Sequence, residues 1–87
     1  MKYNNTFTIE DITKELELNK FRKRITIKMV KIRNAIIEDM EFGSIERAVI
    51  EVNTSNYILE LRRCKNTHQM KELFKSFLYD TAAEVSL

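Results

Sequence analysis

Apolar positions along the chain follow two rhythms. Ile9, Ile12 and Leu16 recur three and four residues apart, the spacing that gathers side chains on one face of a helix. Thr8 stands where an N-cap belongs, with Asp11 three residues on to return the bond, and Phe7 can close a hydrophobic staple on Ile12. The pattern predicts a helix from about Ile9 to Leu18. The stretch Asn19 to Arg24 is polar and basic, with Phe21 as its anchor. A second helix is expected over roughly Thr26 to Phe42, because Met29, Ile32, Ile36 and Met40 again fall three and four apart. Ile25, Ile27 and Met29 alternate as a strand would, but the helical spacing continues for three turns past Met29, which favours the helix. Gly43 then sits where a helix end takes a left-handed residue.

The second rhythm is alternation. Arg47 to Val52 and Tyr57 to Arg63 read as the arms of a β-hairpin, joined by a loop of Asn53, Thr54, Ser55 and Asn56. Pairing Val52 with Tyr57, Ile50 with Leu59 and Ala48 with Leu61 puts all six on one apolar face. Arg47, Glu51, Glu60 and Arg62 then share the other. A last helix is expected from about Thr67, capped by Asn66 with Gln69 three residues later. It carries a broad stripe of Met70, Leu73, Phe74, Phe77 and Leu78. The order helix, helix, hairpin, helix predicts an α+β fold. Its 87 residues make a single domain, 1–87, with residues 66–87 as the C-terminal helix.

Composition narrows the chemistry. With one Gly and no Pro, a Gly-rich phosphate loop or dinucleotide fingerprint is excluded, since those need several glycines at fixed spacing. One Cys and one His exclude a four-ligand Cys/His zinc site from a single chain. No uninterrupted apolar run exceeds three residues, so neither a membrane span nor a signal-peptide core is expected. The lone Cys points to a reducing compartment, cytoplasmic or nuclear, and not to secretion. Cys64 and His68 lie at a strand end and a helix start with no identifiable orienting partner, so no catalytic pair, cofactor or metal is expected.

Charge changes the picture more. The net charge of +2 hides a basic cluster: Lys20, Arg22, Lys23, Arg24, Lys28, Lys31 and Arg33 place seven cations in fourteen positions with no acid among them. The remainder carries 8 basic and 13 acidic residues. A local cationic field on an otherwise acidic body attracts a polyanion in one orientation. Lys28, Lys31 and Asn34 share a helical face, and Lys and Asn side chains can reach phosphates and base edges. A solvated basic face, or a docking surface for an acidic protein, accounts for the same run.

The stretch Lys31-Ile-Arg-Asn-Ala-Ile-Ile-Glu-Asp-Met-Glu-Phe-Gly-Ser-Ile-Glu-Arg, followed by the hairpin, resembles the second half of a winged helix-turn-helix domain. Ile9-Glu-Asp-Ile-Thr-Lys-Glu-Leu looks like the bracing helix before it. The resemblance implies a winged-helix-like regulator of transcription that binds double-stranded DNA sequence-specifically, with Lys20, Arg22, Lys23, Arg24, Lys28, Lys31, Arg33 and Asn34 as contacts and Lys28, Lys31 and Asn34 as the base readers. Asn53 to Asn56 would be the wing tip, although plain turn chemistry explains those four residues equally. Met70, Leu73, Phe74, Phe77 and Leu78 would form the core face of the last helix or the interface of a homodimer. The Gly43 to Arg63 piece also resembles part of a Roadblock-type dimerisation domain, which implies a non-enzymatic protein-interaction module with no nucleic-acid role. A strand at Ile25 to Ile32 favours that module, and a helix with Lys28 and Lys31 outward favours DNA.

Overall fold

Thr8 opens the first helix through a reciprocal pair of bonds. The Asp11 amide donates to Thr8 Oγ1 at 3.1 Å, and the Thr8 amide donates to Asp11 Oδ2 at 3.2 Å. The computed structural model describes residues 8–86. Phe7, the expected staple partner, lies outside them. Helix α1 runs from Ile9 to Ile37 without the break expected at Asn19 to Arg24. That segment holds no Gly or Pro, and its Lys and Arg residues are good helix formers. It also keeps the inward stripe alive, since Leu18, Phe21, Ile25, Met29 and Ile32 all pack into one core at spacings of three and four.

The chain reverses over Glu38 to Ser44. Gly43 has φ +84°, the left-handed geometry foreseen for it, but it precedes the cap of the next helix and does not end α1. Ser44 Oγ accepts from the Arg47 amide at 3.2 Å and starts α2, Ile45–Arg63. A three-residue turn, Cys64 to Asn66, leads to α3, Thr67–Ser86. Asn66 Oδ1 accepts from the Gln69 amide at 2.8 Å, and Gln69 Oε1 accepts from the Lys65 amide at 2.7 Å. The helices run up, down and up.

The expected α+β fold is therefore overturned. Among the described residues there is no strand, and neither a winged helix nor a Roadblock-like sheet is present. Both arms of the expected hairpin and its Asn53 to Asn56 loop form one continuous helix. The physical reason lies in Thr54. Read as a loop residue, it is fully buried in mid-helix, with its hydroxyl donating to the Ile50 carbonyl at 2.8 Å. Ile50, Thr54 and Leu61 then form an inward stripe, with Tyr57 half-buried between them. Asn-Thr-Ser-Asn holds neither Gly nor Pro, the two residues that stop a helix most strongly, and burial of Thr54 carries the helix through.

Ile25, Met29, Leu61, Met70 and Phe77 make the central core, one layer drawn from all three helices. Phe77 stacks with Phe74 at 6.1 Å between ring centres and meets the edge of Tyr57 at 5.6 Å. Leu18 is the first α1 residue to reach this core, so the turns from Ile9 to Glu17 project past the α2–α3 turn and stay exposed. The molecule measures 54 × 23 × 15 Å. Its radius of gyration of 16.6 Å compares with about 12 Å for a compact domain of this length.

A candidate polyanion-binding face

Ideal helical geometry advances about 100° per residue. Lys20, Arg24, Lys28 and Lys31 therefore fall within a single arc of α1, and all four are exposed. Three side-chain ion pairs occur among the described residues: Arg47 with Glu51, Arg63 with Glu60, and Lys75 with Glu72. None of them involves an α1 cation. The row of four spans about 17 Å at 1.5 Å of rise per residue. Lys23 is exposed too, but is turned away from that arc.

The other expected contacts do different work. Arg22 is half-buried, and its guanidinium crosses from α1 to the end of α2. Nε donates to the Leu61 carbonyl at 3.2 Å, one terminal nitrogen to the Cys64 carbonyl at 2.8 Å, and the other to Asn19 Oδ1 at 2.6 Å. A helix C-terminus carries unpaired carbonyls and partial negative charge, and Arg22 satisfies both needs. It is a cap, not a free phosphate contact. Arg33 is half-buried and donates through Nε and a terminal nitrogen to Asn34 Oδ1, at 3.1 and 2.9 Å. That engages the amide oxygen Asn34 would need to pair with an adenine edge.

Sequence reasoning missed Lys65, which joins this face from the α2–α3 turn, and the pair Arg62 and Arg63, which stands with Arg22 on another side of α1. Lys14, Lys20, Arg24 and Lys65 line one open depression, with Phe21, Asn66 and Thr67 in its wall and Glu17 as its acid. Arg22, Arg62, Arg63 and Lys65 line a second beside it, with Glu15. Arg62-Arg63-Cys64-Lys65 was visible as a basic run, but reading it as a strand end separated it from α1. The opposite end of the bundle carries Glu38, Asp39, Glu41 and Glu46. Glu10, Asp11, Glu15 and Glu17 stand in the first turns of α1, so the α1 cations lie between acidic groups at both ends of the long axis.

The remaining expected sites dissolve into structure. Asn53 to Asn56 form no tip, being the middle of α2. Met70 and Phe77 are fully buried in the monomer, and Leu73 and Phe74 pack against them. Only Leu78 of that stripe keeps substantial exposure, at 40%. The chain's own helices fill that face, which serves the core, the first of its two expected uses. His68 is exposed in the first turn of α3, whereas the Cys64 thiol is turned toward the Glu60 carbonyl at 3.7 Å. Burial pushes that thiol's pKa up, opposed by Arg22 and aided by Glu60, which disfavours the nucleophilic thiolate. Among the described residues, no group of His, Cys, Asp or Glu is placed to hold a metal ion. No helix there is long and apolar enough to cross a membrane. No family model matches the chain, and no curated protein or solved structure matches it.

Proposed function

We propose that the protein binds the phosphate backbone of double-stranded DNA through the exposed face of α1, without reading base sequence. The observation that carries this is the row Lys20, Arg24, Lys28 and Lys31, exposed and in no ion pair among the described residues. A duplex presents about one negative charge per 1.7 Å of axis, so a row of this length lies against several phosphates at once. Segment Ile25 to Ile32 is helical with Lys28 and Lys31 outward, the arrangement that favours DNA over a sheet-forming module. Base reading is not part of the proposal. The basic part of α1 is flanked by the rest of the bundle, while the free-standing turns before Leu18 carry Glu10, Asp11, Glu15 and Glu17. The half-buried Cys64, whose thiol is held reduced in such compartments, accords with cytoplasm or nucleus.

The test is anisotropy of a labelled random duplex across a salt series. Four phosphate contacts give a log–log slope of about −4, and alanine at Lys20, Arg24, Lys28 and Lys31 together should abolish binding on every sequence alike. Absence of any binding at low salt would end the proposal. The rival reading, a protein-interaction module, has one observation in its favour: large apolar side chains stand exposed on α2.

A further inference from the structure

Helix α2 has two apolar faces. The inner one holds Ile50, Thr54 and Leu61. On the outer one Ile45, Val52 and Leu59 are 78%, 57% and 54% exposed, at spacings of seven residues, with Ala48 and Ser55 three residues after the first two. Ile45, Ala48, Val52, Ser55 and Leu59 therefore trace a seam of the a/d kind, on the side of the helix away from the core. Single exposed apolar residues are ordinary on a protein surface. A row of three in heptad register, separated by small residues that let a second backbone come close, is a helix-docking surface.

We propose that this face docks onto the same face of a second copy of the chain, antiparallel, giving a symmetric homodimer. Charge selects this occupant. The start of α2 and the turn before it carry Glu38, Asp39, Glu41 and Glu46 against Arg47, which is paired with Glu51, and its end carries Arg62, Arg63 and Lys65 against Glu60. A parallel pair sets like charge against like at both ends. An antiparallel pair sets the acidic end of each copy beside the basic end of the other, twice, and opposes the two helix dipoles. The complement of each end lies at the other end of the same helix and its adjoining turn, which is the condition for a closed two-fold interface.

A two-fold axis near the middle of α2, between Asn53 and Thr54, also matches the side chains in size. Val52 then faces the partner's Ser55, Ala48 faces the partner's Leu59, and Ile45 lies along the alkyl stem of the partner's Arg62. Buried and outer faces stay separate in this arrangement, so the dimer needs no rearrangement of the monomer. One helix per copy makes an interface at the small end of the specific range, so the dimer forms with a dissociation constant on the order of 10 µM.

Sedimentation equilibrium of the full chain without DNA, over a concentration range of about 2–200 µM around that constant, tests the proposal. The expected result is a mass that rises from monomer to dimer and goes no higher. Val52→Glu places two carboxylates at the axis and should hold the chain monomeric throughout, while its circular dichroism melt stays that of the parent because the site is outside the core. Reversing the acidic end with Glu41→Lys and Glu46→Lys should weaken the dimer about fivefold, and adding Arg63→Glu and Lys65→Glu, which leave the packing of Arg62 intact, should restore it. A parent that stays monomeric at the highest concentration overturns the proposal. So does a dimer indifferent to Val52→Glu, and failure of the restored pair overturns the antiparallel arrangement. Each outcome is independent of whether the α1 face binds DNA.

Discussion

Arg22 sits inside the basic cluster of the sequence, yet in the folded chain it holds the end of α2, so Arg22→Ala should cost stability and leave DNA affinity largely intact. The side chain makes three hydrogen bonds, two of them to the carbonyls of Leu61 and Cys64. A hydrogen bond to a charged group contributes about 1.5–3 kcal/mol, but without Arg22 the Leu61 carbonyl keeps the Cys64 amide at 3.2 Å and the Cys64 carbonyl regains part from water. The expected net loss is about 2 kcal/mol. Unfolding entropy near 2.1 cal/mol/K per residue gives a domain of this size about 0.18 kcal/mol/K, so the melting temperature should fall by ~11 °C. Arg22→Lys keeps the charge but cannot bridge both carbonyls and Asn19, and should recover about half of the loss.

Two measurements on the same variant decide the matter. Thermal melts followed by circular dichroism give the stability, and anisotropy across a salt series gives the number of phosphate contacts. The cap predicts a lowered melt with an unchanged slope of about −4 for the folded protein. An unchanged melt with a slope reduced by about 0.9 would instead mean that Arg22 faces phosphate and that α2 ends without it.

Three further perturbations probe the bundle. Burial, then the hydrogen bond and charge of Asp80, push the Tyr57 phenol from 10.0 up to about 12. The unfolded chain ionises this group first, so its stabilising contribution is complete below pH 10 and is lost as pH rises from 10 toward 12. Urea midpoints at about pH 9 and pH 11 should therefore fall further for the parent than for Tyr57→Phe. Phe77→Ala, which empties the centre of the core, should cost about 3–5 kcal/mol and leave little cooperative melting. Phe77→Leu should stay folded with an unaltered sedimentation profile, where an interface role for Phe77 requires a change in mass. Thr54→Val removes a buried hydroxyl whose acceptor already serves the helix, and should change stability by less than about 1 kcal/mol in urea unfolding.

The starts of α1 and α3 were legible because capping is local, whereas the ends expected at Leu18 and Phe42 and the start of α2 were not. Thr8 with Asp11 and Asn66 with Gln69 each need only three intervening bonds to be recognised, and both sit where their side chains predicted. The stripe Met70, Leu73, Phe74 and Phe77 was legible as a helical face, with core and dimer both open as its use. The cationic run was legible as composition. What composition did not contain was its division, because Arg22 and Arg24 differ by two residues and so point to nearly opposite sides of a helix. Placing Arg22 beside the core requires knowing that Leu18, Phe21 and Ile25 continue one stripe. The break expected at Asn19 to Arg24 concealed that continuity.

The failed hairpin has a more instructive cause. Residues two apart share a face of a strand, but on a helix they are about 200° apart, on opposite faces. Ala48, Ile50 and Val52, and again Tyr57, Leu59 and Leu61, are apolar two apart, with Glu51 and Glu60 between, which satisfies a period of two even though Val49 and Ile58 break the alternation. In the folded chain Ile50 and Leu61 point inward, whereas Ala48, Val52 and Leu59 point out. A helix with a single apolar face cannot produce that alternation, since its outward positions are polar. The misleading signal thus required a second apolar face. The substitution that silences the alternation, Val52→Glu, is also the one expected to break the dimer, so the same residue tests why the sequence misread and what the outer face is for.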